Sequence, residues 1–177
     1  MKPPTTRRPP ILVVTGATIL FILLAVLEAM ASHANLLRGD PAAPWTDHLQ
    51  QVGDALAKRD VGAAERAWHD AFGAALRSRR WEGLVEIGDA ARRIGEIAGS
   101  RKAYDATARR IYLTALFRAR QERSLDGVLR VAEAFAALGD QQVVTQCIRI
   151  AERLAADQRD TQARDRVLAF SQRLANH

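Results

Sequence analysis

The sequence predicts an all-α fold in which short helical hairpins stack side by side as a solenoid. Two echoes and the composition predict it. Val52-Gly53-Asp54-Ala55-Leu56, Ile87-Gly88-Asp89-Ala90-Ala91 and Val131-Ala132-Glu133-Ala134-Phe135 each run apolar, small, acidic, alanine, then apolar or small. After each comes a large residue followed one helical turn later by alanine: Trp68 and Ala71, Tyr112 and Ala115, Ile148 and Ala151. Hydrophobic residues make up 48% of the 177 but aromatics only 6%, and alanine abounds, which suits closely packed helices rather than sheets. A chain of this length makes one modest domain with a real core.

Residues 1–10 are basic and broken by prolines, and an uncharged run from Ile11 to Leu27 follows them. A bilayer needs about 20 mainly apolar residues, which Ile11 to Met30 supplies if Glu28 lies near the outer interface. A transmembrane signal-anchor over 11–34 is therefore expected, with Ile11, Leu20, Phe21, Leu24 and Leu27 in the membrane and 35–44 as linker. Lys2, Arg7 and Arg8 ahead of the run predict a cytoplasmic N-terminus and an exported remainder. Cleavage after Ala31, in Ala29-Met30-Ala31, is the alternative, although this run exceeds the usual h-region.

The helical domain is expected over 45–177. Its first helix opens at Pro44-Trp45-Thr46-Asp47, with Asp47 as N-cap and Gln50 in the capping-box position, and runs to about Lys58. Asp60 caps the partner, in which Ala64, Ala67, Trp68, Ala71 and Leu76 form the apolar stripe. The second hairpin begins near Trp81; its stripe is Leu84, Ile87, Gly88, Ala91 and Ile94, and Gly95 and Gly99 with Ser100 end it. A longer helix follows from about Ala103 to Arg120. Ser124 caps the third pair, Gly139-Asp140 separates its two helices, and Val144, Cys147, Ile148 and Ala151 continue the core. A last amphipathic helix, from about Asp160 to Asn176, caps the array.

These residues resemble tetratricopeptide repeats (TPR). In the third hairpin Val128, Val131, Ala132, Phe135, Gly139, Val144, Ile148 and Ala151 fall on the family's positions in register. Asp60, Val61, Ala64, Trp68 and Ala71 match the second-helix half of the first hairpin, while its first-helix half is displaced by one residue. The second hairpin departs from the pattern by about eight extra residues around Gly95–Lys102. The resemblance covers roughly residues 45–155 and implies a groove, lined by the first helices of the pairs, that binds peptides or partner helices. By that likeness Gln50, Asp54, Lys58, Val85, Asp89, Arg92, Arg93, Leu129 and Glu133 line it. Asp54, Asp89 and Glu133 form an acidic row with Arg92 and Arg93 beside it; a merely solvated helix face is the competing reading.

The net charge of +6 does not point to nucleic acid, because the leader supplies three charges and no basic stripe with interleaved aromatics appears. The remaining arginines alternate with acids, as in Glu65-Arg66, Asp105 near Arg109, and Glu152-Arg153, which reads as a solvated surface with i,i+4 pairing. Cys147 is the single cysteine, so neither an intramolecular disulfide nor a Cys-x-x-Cys motif exists, and a small buried apolar role is expected. His33, His48, His69 and His177 are scattered without metal-ligand spacing, and no glycine-rich loop follows a strand. A non-enzyme without cofactor or metal is expected.

Together these readings describe a single-pass inner-membrane protein with a periplasmic TPR-like domain. By resemblance it is an adaptor or assembly factor for an envelope complex, such as one maturing a periplasmic dehydrogenase or a c-type cytochrome system. A permanent structural subunit of a membrane complex and, if the signal is cleaved, an exported soluble binding protein stay open, as does a homo-oligomer.

Overall fold

Local capping sets where the helices begin. Asp60 accepts the Ala63 amide at 2.9 Å and Ser124 accepts the Gly127 amide at 3.0 Å, each satisfying an orphan donor of the first turn. The computed structural model describes residues 43–157 and 161–175. Among them seven helices follow in order: α1 (Thr46–Ala57), α2 (Val61–Ser78), α3 (Trp81–Ile97), α4 (Arg101–Gln121), α5 (Leu125–Ala137), α6 (Gln141–Asp157) and α7 (Thr161–Ala175). Each packs antiparallel on the next. The expected anchor over 11–34, with Ile11, Leu20, Phe21, Leu24 and Leu27, lies outside the described residues; among those described no helix is long and apolar enough to cross a membrane.

The echoed segments hold equivalent places. Val52, Ile87 and Val131 each come six residues after the first residue of their helix, Thr46, Trp81 and Leu125, and all three are fully buried. Gly88 shows why the next position is small. A Cβ there would lie 2.2 Å from Cε1 of Tyr112, so the glycine lets the Tyr112 ring lie on the α3 backbone. Tyr112 in turn meets Phe135 edge to face at 5.8 Å, tying α4 to α5. Trp68, the equivalent of Tyr112 in α2, reaches α3 by donating Nε1–H to the Ile87 carbonyl at 2.9 Å.

Several expectations are corrected. Asp47 does not cap α1: Trp45 holds the N-cap position without a side-chain capping bond, and Asp47 sits in the first turn, where a carboxylate suits the helix dipole. Helix α3 ends at Ile97, between Gly95 and Gly99 as expected. Gly95 itself lies in its last turn, packed so closely on Tyr104 that a Cβ would meet the Tyr104 Cβ at 2.6 Å, and its carbonyl accepts the Ser100 amide at 3.0 Å. Gly99, with φ of +67°, makes the turn. Leu76 is 39% exposed and leaves the core stripe. Asp105 binds Arg92 and Arg101 rather than Arg109, which pairs with Asp140 across hairpins.

The eight or so extra residues of the second hairpin lengthen its two helices. α2 and α6 start three residues before Ala64 and Val144, but α4 starts seven residues before Ala108, and α3 likewise runs a turn further past Gly88 than α1 and α5 run past Gly53 and Ala132. One added turn on each helix lengthens this hairpin and brings Tyr104 into the molecule.

Candidate functional site

The odd-numbered helices make the inner layer: α1 touches α3, α3 touches α5 and α5 touches α7, besides their sequence neighbours. Each acidic position of the echo therefore falls on this layer, one per hairpin. The structure links two of them. Asp89 accepts from the Tyr112 hydroxyl at 2.6 Å and from Arg130 Nη2 at 2.5 Å, and Arg130 Nη1 lies 3.9 Å from Glu133. Glu133 also binds Arg173 of α7 at 2.8 Å, while Arg166 of α7 binds Asp126 of α5. Carboxylates and guanidinium groups thus alternate across α3, α5 and α7, and those of α5 and α7 surround an open hollow of about 490 Å³ whose floor includes Leu129 and Phe170.

The other residues expected in the groove lie apart from this ladder. Arg92 points between helices, with Nε 3.3 Å from Asp105 and Nη2 donating to the Ala137 carbonyl at 3.0 Å, so it clasps α3, α4 and the C-terminal end of α5. Asp54 and Arg93 are exposed and make no ion pair among the described residues. Arg93 borders a shallow hollow of about 300 Å³ between α1 and α3, with Gly53, Leu56, Glu96 and Ile97. Val85 is 1% exposed and belongs to the core rather than to a groove.

Sequence reasoning missed the arginines that meet the acidic row. Arg130 and Asp89 are 41 residues apart, and Arg173 and Glu133 are 40 apart, so only the stacking joins them. It also missed the outer side. Between α2 and α4 runs a groove of about 550 Å³ with Trp68, Phe72, Tyr104 and Ile111 among its walls. Phe72 and Leu76, and Leu113 and Phe117, are i,i+4 apolar pairs lying off the buried stripes of their helices, and that spacing was the available signal.

The titrating groups follow their surroundings. Burial, then the hydrogen bond to Asp89, raises the Tyr112 phenol well above its ordinary value. Burial, then the hydrogen bond to Glu65, raises Tyr104 to about 12. Burial raises the Cys147 thiol to about 11; it is fully buried and acts as a small apolar residue, as expected. Among the described residues no group of three His, Cys, Asp or Glu side chains is placed to hold a metal ion.

No protein-family model matches the chain, and no curated protein or solved structure matches it.

Proposed function

We propose that this chain is a membrane-anchored, TPR-like adaptor or assembly factor of a bacterial envelope complex, working by binding rather than turnover. The observation that supports it best is the shared register of the three hairpins: a surface that repeats per hairpin suits an extended protein partner. The charged leader and the uncharged run after it support a cytoplasmic N-terminus and a periplasmic domain.

Within this reading the inner face is the docking surface, with Asp54 and Arg93 at its open end and the Asp89–Arg130–Glu133–Arg173 ladder at the other. A partner's ion pairs would exchange with those of the ladder, so selectivity comes from the charge order. Photo-crosslinking in the cell from a probe at Asp54 tests it. A defined envelope protein in the adduct, absent from the finished complex, is the expected result. A protein that remains in the finished complex at equal stoichiometry with this chain makes it a permanent subunit instead. An adduct confined to this chain overturns the adaptor reading.

A further inference from the structure

We infer that the outward side of α4 is a membrane-contact surface: it lies along a bilayer that contains anionic lipid, with Leu113 and Phe117 entering the headgroup region. The stripe that carries this stands apart from the proposed anchor, which matters here only for keeping the bilayer within reach.

Helix α4 packs on α3 and α5, and its opposite side is one exposed stripe. Lys102, Ala106, Arg110, Leu113, Phe117 and Arg120 follow one another three or four residues apart. At about 100° per residue they fall within an arc of about 80°, along about 27 Å of helix. All six are exposed, Leu113 at 47% and Phe117 at 59%. The linear sequence disguises this stripe, because Arg101, Arg109 and Arg118 stand among its members and point elsewhere.

Charge on α4 is one-sided. The helix carries six of the chain's cations and one acid, so its own net charge is +5 against +6 for the whole chain. Three of those cations are engaged: Arg101 with Asp105, Arg109 with Asp140, and Arg118 with the Ala75 and Leu76 carbonyls. The other three, Lys102, Arg110 and Arg120, are the cations of the stripe, and among the described residues they form no ion pair. The carboxylates at the edges are taken. Glu65, across the groove from Arg110, accepts from the Tyr104 hydroxyl, and Asp140 is held by Arg109 through both oxygens. The neighbouring outer helices mix signs instead: α2 exposes Asp70 with Arg66 and Arg77, and α6 exposes Glu152 and Asp157 with Arg149 and Arg153.

Shape and sign together select the bilayer. A second copy pairing through the same stripe would set cations against cations with no acid between them. Leu113 and Phe117 stand on the crest of an outer helix, so a folded partner covers them from one direction, whereas headgroups and acyl chains close around them. Cations flanking an apolar centre along one helix are what an interfacial helix presents to anionic lipid. The expected anchor over 11–34 and the linker 35–44 tether the domain to that surface. Docked in this way, the inner layer turns away from the bilayer and stays open to the partner proposed above.

The test places a nitrobenzoxadiazole fluorophore on Ala106→Cys in the full-length chain; Cys147 is buried and escapes the label. The chain is reconstituted in vesicles of phosphatidylcholine and phosphatidylglycerol with nitroxide on the acyl chains. Quenching at 106 that disappears in phosphatidylcholine alone is the expected result, with none from the same label on Asp54→Cys of the inner layer. Lys102→Gln, Arg110→Gln and Arg120→Gln together should lower the docking constant about a hundredfold, and Phe117→Ser should lower it too, neither moving the thermal melt. Quenching that is absent, equal at the two positions or indifferent to phosphatidylglycerol overturns the inference. A label shielded from water in detergent overturns it as well, because a protein then covers the stripe. Release of the chain from the vesicles by carbonate sinks the anchor instead, and the same quenching is then read with the chain added from solution, so the two readings fail separately.

Discussion

The inner and outer sides of this helix array solve the problem of exposed charge in opposite ways. On the inner side the odd-numbered helices touch, and Asp89, Arg130, Glu133 and Arg173 neutralise one another in sequence. On the outer side α2 and α4 stand apart with aromatic rings between them, and among the described residues Arg66, Arg77, Arg110 and Arg120 form no ion pair. Internal pairing makes the inner ladder part of the fold. The outer groove is held in shape by the fold, yet its exposed residues take no part in holding it. Substitutions should therefore cost stability on one side and not on the other.

Tyr112 carries the largest expected effect because it joins both sides: its ring lies on Gly88, its edge meets Phe135 and its hydroxyl begins the ladder at Asp89. Removing a buried aromatic ring costs about 3–5 kcal/mol. Tyr112→Ala should shift the urea midpoint accordingly or leave the domain unfolded. A loss under about 1 kcal/mol would show that the hairpins are not coupled through it.

Next come two glycines at one repeat position with opposite outcomes. Gly88→Ala drives a methyl into the Tyr112 ring and should cost about 1–3 kcal/mol. Gly53→Ala meets nothing within 4 Å and should gain about 0.5–1 kcal/mol from helix propensity. Equal signs for the two variants in chemical denaturation would mean that the Tyr112 ring does not rest on Gly88 in solution.

That pair also marks what could be read from the residues alone. Core positions recur because each hairpin buries the same face, so helix pairing, the Asp60 and Ser124 caps and the buried Cys147 were all visible. The turns themselves were evident, but their left-handed backbone was not, because Arg59, Arg79 and Arg123 adopt it where glycine is the usual signal. The longer second hairpin was evident in its extra residues, but the use of Gly95 was not, because it reads as a terminator and in fact admits Tyr104. Of the candidate site, the acidic positions were evident. Their partners were not, since Arg130 and Arg173 reach them only through stacking about 40 residues away in sequence. Arg92 was misplaced for a related reason: one turn of helix decides whether a cation faces a groove or clasps a neighbouring helix end.

Alkaline pH distinguishes the two tyrosines. In the unfolded chain a thiol and a phenol lose their protons near 9 and 10, whereas the fold raises Cys147 to about 11 and Tyr104 to about 12, and Tyr112 upward as well. The unfolded state then binds fewer protons, so stability is full below about pH 9 and falls as pH rises toward 12. Cys147→Ala should remove the first part of that fall. Tyr112→Phe should flatten the later part more than Tyr104→Phe, because Tyr112 is fully buried on the inner ladder and Tyr104 only partly on the groove edge. A pH profile with no slope above 9 would mean that these groups are solvated in the folded state.

The smallest effect belongs to the outer face. Phe117 is 59% exposed, so Phe117→Ser removes little area that folding had taken from water and should change stability by no more than about 0.5 kcal/mol in a urea titration. A loss above about 1 kcal/mol would show Phe117 to be packed in solution, by a neighbouring element or a second copy, and the outer side would then be as internally satisfied as the inner. A neutral outcome leaves an exposed aromatic residue that the fold does not need. Such a residue is free to meet a partner, which is the asymmetry between the two sides expressed in a single side chain.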